Sequence, residues 1–277
     1  MTGNVAAVDD RAIGMFDSGF GGLTVARALI DLLPDEDLVY FGDTGRYPYG
    51  PRPLDEVRDF ASQITRLLVD DHDVKMVVVA CNTASAAALD ALRFDTDVPV
   101  LGVIDPGVRA AVKATTNGRV GVVGTVGTIA SGAYQRAVRA TRAPVVLTCA
   151  SCPGLVELVE RGETVTDGAY VLAERLLAPL RTAAVDTLLL GCTHYPFLAR
   201  TIGEVMGRDV LLVSSAEETA FEIRAILDDT GLGRRSGAGG SKGRHHFVST
   251  GDVGWFRELG ARLLGPELDE VEAWVWP

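Results

Sequence analysis

Met76-Val77-Val78-Val79-Ala80 runs directly into Cys81-Asn82-Thr83, and Leu188-Leu189-Leu190-Gly191 runs directly into Cys192-Thr193-His194. Both runs are short, uncharged and apolar on both faces, as a strand buried on two sides within a parallel sheet requires. Taken as strands over 75–80 and 185–190, they join six more apolar runs at 12–16, 38–41, 98–102, 119–124, 145–148 and 210–213. Longer stretches of helical pattern separate them, and this alternation predicts an α/β fold of parallel sheets covered by helices. Ligands of such folds collect at the carboxyl ends of the strands. A late strand over 246–250 and a closing helix over 252–264 complete the pattern.

The residues just beyond the strands repeat. The strand at 12–16 leads into Asp17-Ser18-Gly19 and the strand at 119–124 into Thr125-Val126-Gly127. From Asp17 to Cys81 is 64 residues, and from Thr125 to Cys192 is 67. The reading is two similar domains, each a mostly parallel sheet flanked by helices. A pseudo-twofold relation between them would set the two thiols on opposite walls of a shared cleft. Residues 1–103 plus 214–277 form the first, discontinuous domain, with Asp17 and Cys81; residues 104–213 form the second, with Thr125 and Cys192. Ser214 and Ser215 suit the N-cap of the returning helix, which carries Glu217 and Glu218 in its first turn.

The length of 277 residues accommodates two such domains. The formal charge of −11 argues against nucleic acid or an anionic membrane as the main partner, because both are repelled by the overall field. No apolar run reaches the roughly 18–20 residues that span a bilayer. Residues 1–11 lack a basic region followed by an apolar stretch and do not read as a signal peptide, so a cytoplasmic location is expected. In a reducing compartment Cys81, Cys149, Cys152 and Cys192 are free thiols. Residues 231–244, rich in Gly, Ser and Arg, read as a flexible loop. His72, His245 and His246 read as surface residues, and Trp255, Trp274 and Trp276 as completing a core or a subunit contact.

Cys81 and Cys192 admit two readings. As single cysteines they are small core hydrophobes. Their matched positions, each followed by polar residues rather than more core, favour chemistry instead. A thiol at a helix N-terminus feels the positive end of the dipole and free backbone N–H groups, which favour thiolate and can also hold a substrate carboxylate. Asn82, Thr83, Thr193 and His194 add side-chain polar groups for a small anion. Cys149-Ala150-Ser151-Cys152 is a lone CxxC without a second pair or a histidine cluster, so packing at a strand-to-helix turn, with Pro153 opening the helix, is favoured over zinc or redox chemistry. Gly19-Phe20-Gly21-Gly22 meets neither the dinucleotide nor the Walker pattern, and its glycines are expected to let backbone approach a ligand beside Asp17 and Ser18.

Several segments in order resemble the bacterial glutamate racemases: Phe16-Asp17-Ser18-Gly19-Phe20-Gly21-Gly22, Pro48-Tyr49-Gly50, Ala80-Cys81-Asn82-Thr83-Ala84, Gly121-Val122-Val123-Gly124-Thr125, Cys152-Pro153 through Glu160, and Gly191-Cys192-Thr193-His194-Tyr195-Pro196. The resemblance covers nearly the whole chain. It implies two α/β domains with the active site between them, interconversion of L- and D-glutamate without cofactor or metal, and supply of D-glutamate to peptidoglycan synthesis. Carried over by position, Cys81 and Cys192 are the catalytic bases, assisted by Asp17 and His194 respectively. Asp17, Ser18, Tyr49, Gly50, Asn82, Thr83, Thr125, Thr193 and His194 contact substrate, and Glu160 reaches its amino group. The resemblance also implies a homodimer, and inhibition of DNA gyrase is a property of some relatives. Competing readings are a racemase of aspartate or a hydantoin, a non-catalytic two-lobed anion-binding protein, and a redox protein using Cys149 and Cys152.

Overall fold

The computed structural model describes residues 9–234, 242–268 and 270–276. Among the described residues, ten strands form two sheets in which every pairing is parallel. The strands are β1 (Ile13–Asp17), β2 (Leu38–Gly42), β3 (Met76–Val79), β4 (Val100–Gly102), β5 (Arg119–Gly124), β6 (Val146–Ser151), β7 (Thr187–Gly191), β8 (Leu211–Ser214), β9 (His245–Ser249) and β10 (Val271–Ala273). The first sheet has the order β10-β9-β2-β1-β3-β4 and the second β6-β5-β7-β8. The segment β2-β1-β3-β4 thus has the same topology as β6-β5-β7-β8. In both, the two central strands are the ones that end at the repeated polar residues.

Local sequence explains most of this. All four residues of β3 and all five of β7 are buried, as double-sided cover demands. The helix Leu54–Asp70 buries Val57, Ala61, Ile64 and Leu68, one stripe at helical spacing. The helix Ser215–Thr230 begins as its sequence suggests: Ser214 accepts a bond from Ala216 N–H, and Glu217 and Glu218 occupy the first turn. That helix packs on both Leu23–Leu32 of the first half and Ile104–Ala114 of the second. One apolar cluster accordingly runs continuously from Met15 and Tyr40 to Leu188 and Leu190.

Three expectations change. β10 has no counterpart in the predicted pattern; it is only three residues long and pairs with β9 alone. Pro153 does not open a helix: Gly154, at φ 91°, is the cap of Leu155–Glu160. His72, His245 and His246 are half-buried rather than free on the surface, because β9 pairs with β2 and brings His246 to 5.7 Å from the His72 ring and 2.9 Å from Glu272. Trp274 and Trp276 pack against the core around Phe41, and Trp255 meets Phe20 edge-on. Residues 1–8 and 235–241, which include half of the expected flexible loop, lie outside the described residues. Among the described residues no helix is long and apolar enough to cross a membrane.

Candidate active site

The carboxyl ends of β1, β3, β5 and β7 converge on a cavity of about 100 Å³. Ser18, Cys81, Asn82 and Thr83 line it from the first half, and Thr125, Cys192, Thr193 and His194 from the second. Tyr49 and Gly50 close one side. Cys81 is the N-cap of Asn82–Asp95, and its carbonyl accepts from Ser85 N–H at 2.8 Å. Cys192 precedes a short 3-10 helix, Tyr195–Leu198, rather than an α-helix. Both cysteines are nearly inaccessible, at 5% and 7%.

Each thiol has a polar side chain beside it. The Cys81 thiol donates to Ser18 Oγ at 3.9 Å, and Cys192 Sγ lies 3.9 Å from His194 Nδ1. Asp17 is fully buried behind Ser18; it accepts from Gly19 N–H at 2.8 Å and from Thr193 Oγ1 at 3.4 Å. Thr83, Thr125 and Thr128 form a triangle of hydroxyls at 2.8–3.1 Å that joins the two halves. Asn82 donates from Nδ2 to Tyr134 Oη at 2.9 Å, leaving its buried Oδ1 without a partner. The amide keeps a second N–H beside that free Oδ1, so Asn82 can both donate and accept at the cavity.

Burial dominates the electrostatics. It pushes the Cys81 thiol up to about 12, reinforced by the Asp17 charge and opposed by the N–H groups of Ala84 and Ser18. It raises Cys192 too, against the N–H groups of His194 and Tyr195. Desolvation therefore outweighs the helix-terminus effect, and both thiols rest protonated, contrary to the expected thiolates. The same loss of water raises Asp17 to about 6 and lowers His194 to about 4. His194 is a neutral imidazole at neutral pH.

A family model described as Asp/Glu/Hydantoin racemase matches residues 23–221. The chain belongs to that family. Within it the chain groups with the glutamate racemases, which are amino-acid isomerases. A glutamate racemase of Beutenbergia cavernae is 52% identical over 273 residues, covering 95% of this chain and 93% of that protein. One from Mycobacterium leprae is 53% identical over 262 residues, covering 94% of each. Among solved structures, glutamate racemase isoform RacE1 of Bacillus anthracis superposes with a TM-score of 0.89 at 41% identity over 96% of this chain and 97% of that one. The Francisella tularensis glutamate racemase in complex with D-glutamate gives 0.88 at 31% identity, covering 96% and 98%.

In this racemase two carboxylates anticipated at the site stand back from the cavity. Asp17 lies behind the wall, and Glu160 lies one turn beyond Glu157, which lines the cavity together with Val156. Burial raises the Glu160 carboxyl, opposed by a hydrogen bond from the neighbouring Tyr47 hydroxyl. Sequence reasoning passes over Tyr47, Pro48, Val126 and Tyr195, which line the cavity, and Thr128 and Tyr134, which brace it. Adjacency to Tyr49 and His194 is the available signal for the first and last of the lining residues. Cys152 lines the cavity and joins one core cluster while Cys149 packs on another, and both thiols are free. Among the described residues no group of three or more His, Cys, Asp or Glu is arranged to hold a metal ion.

Among the glycines of residues 19–22, Gly21 permits a close approach between the two halves. A Cβ on Gly21 would stand 2.4 Å from Thr193 Oγ1 and 2.7 Å from the His194 ring.

Proposed function

We propose that the enzyme interconverts L-glutamate and D-glutamate without a cofactor, Cys81 and Cys192 serving as the two proton-transfer groups. One observation carries this reading: two buried thiols at the ends of equivalent strands, β3 and β7, face one small cavity from opposite halves. The names of the relatives, and the D-glutamate complex among them, support glutamate as substrate.

Racemisation takes the α-proton from one face of the amino acid and returns a proton to the other. A thiolate on one side and a thiol on the other do this without turning the intermediate over, and they exchange roles with the hand of the substrate. His194, with Nδ1 at 3.9 Å from Cys192 Sγ, is placed to assist that thiol. The Asp17 charge makes Cys81, once deprotonated, a stronger base. A base of raised pKa suits an α-proton far less acidic than an ordinary thiol. Thr83, Thr125, Thr193 and the backbone N–H groups after β3 and β7 supply donors for the carboxylates and the negative charge that develops. Ser18, Tyr49, Gly50 and Asn82 complete the contacts, and Glu160 or the nearer Glu157 attracts the substrate ammonium.

The finer readings extend from this. Residues 1–103 plus 214–277 and residues 104–213 act as two domains closing on the substrate. The enzyme works in the cytoplasm as a homodimer, supplying D-glutamate for peptidoglycan. Proton NMR and circular dichroism on purified protein with L-glutamate in deuterium oxide, without pyridoxal phosphate, test the reaction. Decay of optical activity with loss of the α-proton signal is expected, and L-glutamate left unchanged would reject the assignment. Cys81→Ala and Cys192→Ala should each lower racemisation by several orders of magnitude, and near-normal turnover in either would remove the two-thiol scheme.

A further inference from the structure

Asp43, one residue beyond β2, is fully buried and carries no part of the racemisation chemistry, yet four side chains converge on its carboxylate. Oδ2 accepts from Tyr49 Oη and from Arg46 Nε at 2.7 Å. Oδ1 accepts from Thr250 Oγ1 at 2.8 Å and from Trp276 Nε1 at 3.1 Å. The Arg46 guanidinium lies 4.0 Å from the Trp276 ring and 4.2 Å from Phe60, within cation–π range of both. Residues 47–51, which begin just past Arg46, form one wall of the cavity. Their far side is seated on the second half by Gly127 N–H donating to Gly50 O at 3.0 Å.

The geometry points to Trp276, acting through Asp43 and Arg46, as the positioning residue that holds the 47–51 wall in its substrate-binding form. The inference rests on the proposed racemisation for its kinetic part only. Trp276 is brought there by β10, whose pairing with β9 is followed by Trp274 N–H donating to Ser249 O at 2.8 Å. A residue more than 200 positions from Tyr49 thus supplies both a donor to the carboxylate that holds the Tyr49 hydroxyl and a lid over Arg46. The wall carries no thiol, so loosening it reduces the binding-competent fraction without removing a proton-transfer group.

Two variants of the full chain test this. Trp276→Ala removes ring and donor, and Trp276→Phe keeps a ring over Arg46. With Ala, amide hydrogen exchange over residues 44–51 should quicken about tenfold while both sheets stay as protected as before. KM for both glutamate enantiomers should rise about fivefold or more, with kcat held within about twofold. Phe should bring KM back to within about threefold of the parent. Unchanged exchange and KM in Trp276→Ala would overturn the inference, as would a fall in kcat at constant KM. Faster exchange spread evenly over both sheets would mark a general packing role and overturn it equally. Should the parent enzyme fail to racemise glutamate, the functional reading falls, while the exchange measurement still decides the clamp.

Discussion

Thr193 Oγ1 donates to Asp17 Oδ2 across 3.4 Å, tying the residue after Cys192 to the carboxylate at the end of β1. The two halves are therefore joined at the chemistry itself, and each thiol's surroundings are partly built by the opposite half.

Gly21 permits that closeness. Gly21→Ala places a methyl within 2.4 Å of Thr193 Oγ1 and 2.7 Å of the His194 ring, so the halves must part or the side chains must swing away. Overpacking of this kind costs about 1–3 kcal/mol. Displacement of His194 and Thr193 should also lower kcat/KM about a hundredfold or more, since small misplacements of reacting groups are costly. Steady-state kinetics with denaturant unfolding checks both effects; a variant with parental kcat/KM would show that the contact is idle.

Asp17 and His194 should give opposing pH dependences of stability. Asp17 rises from 3.8 to about 6 on folding, so between these values the native state holds a proton that the unfolded chain has lost, and stability falls as pH rises. His194 drops from 6.5 to about 4, so in that window the unfolded chain holds the extra proton, and stability rises with pH. In the parent the two slopes offset. Denaturant unfolding of His194→Asn should show stability declining from pH 4 to 6 by about 2–3 kcal/mol, and Asp17→Asn should show a rise of similar size from pH 4 to 6.5. Parallel profiles for the two variants would refute the assignment.

The protonated resting state of the thiols predicts slow, strongly pH-dependent alkylation. Burial holds Cys81 near 12 and Cys192 above its ordinary range, so the thiolate fraction of each should grow about tenfold per pH unit from 7 to 10. Iodoacetamide labelling, resolved by site with mass spectrometry, measures this. A plateau for either residue near pH 8 would mean that a thiolate is stabilised in the free enzyme.

Lys75 stabilises the first sheet rather than the site. It is fully buried, 2.5 Å from Glu36 Oε2 and 3.0 Å from Asp9 O. Lys75→Met leaves the Glu36 carboxylate buried without its cation, which should cost about 3–5 kcal/mol in chemical denaturation. Kinetic constants should hold under native conditions. A loss below about 1 kcal/mol would mean that water reaches Glu36 readily.

The strands with strict two-sided burial are legible because that pattern is local: β3, β5 and β7 coincide with the runs predicted for them to within two residues, and the residues at their carboxyl ends come directly after. β10 is illegible, since three residues pairing with one neighbour leave no periodicity to read. The spacing of the lone CxxC does not announce that Cys152 reaches the cavity, which follows from the inward path of the chain after β6.

The residues themselves determined the α/β class, the duplicated order of polar strand ends and the pairing of Cys81 with Cys192 as equivalent positions. These come from hydrophobic period and spacing, which each segment carries alone. Tertiary structure decided the protonation of both thiols, the neutrality of His194, the retreat of Asp17 and Glu160 from the cavity and the reach of Trp276 to Asp43. Each depends on how much water is excluded and on which distant atoms come within a few ångströms, and neither quantity exists until the two sheets have packed.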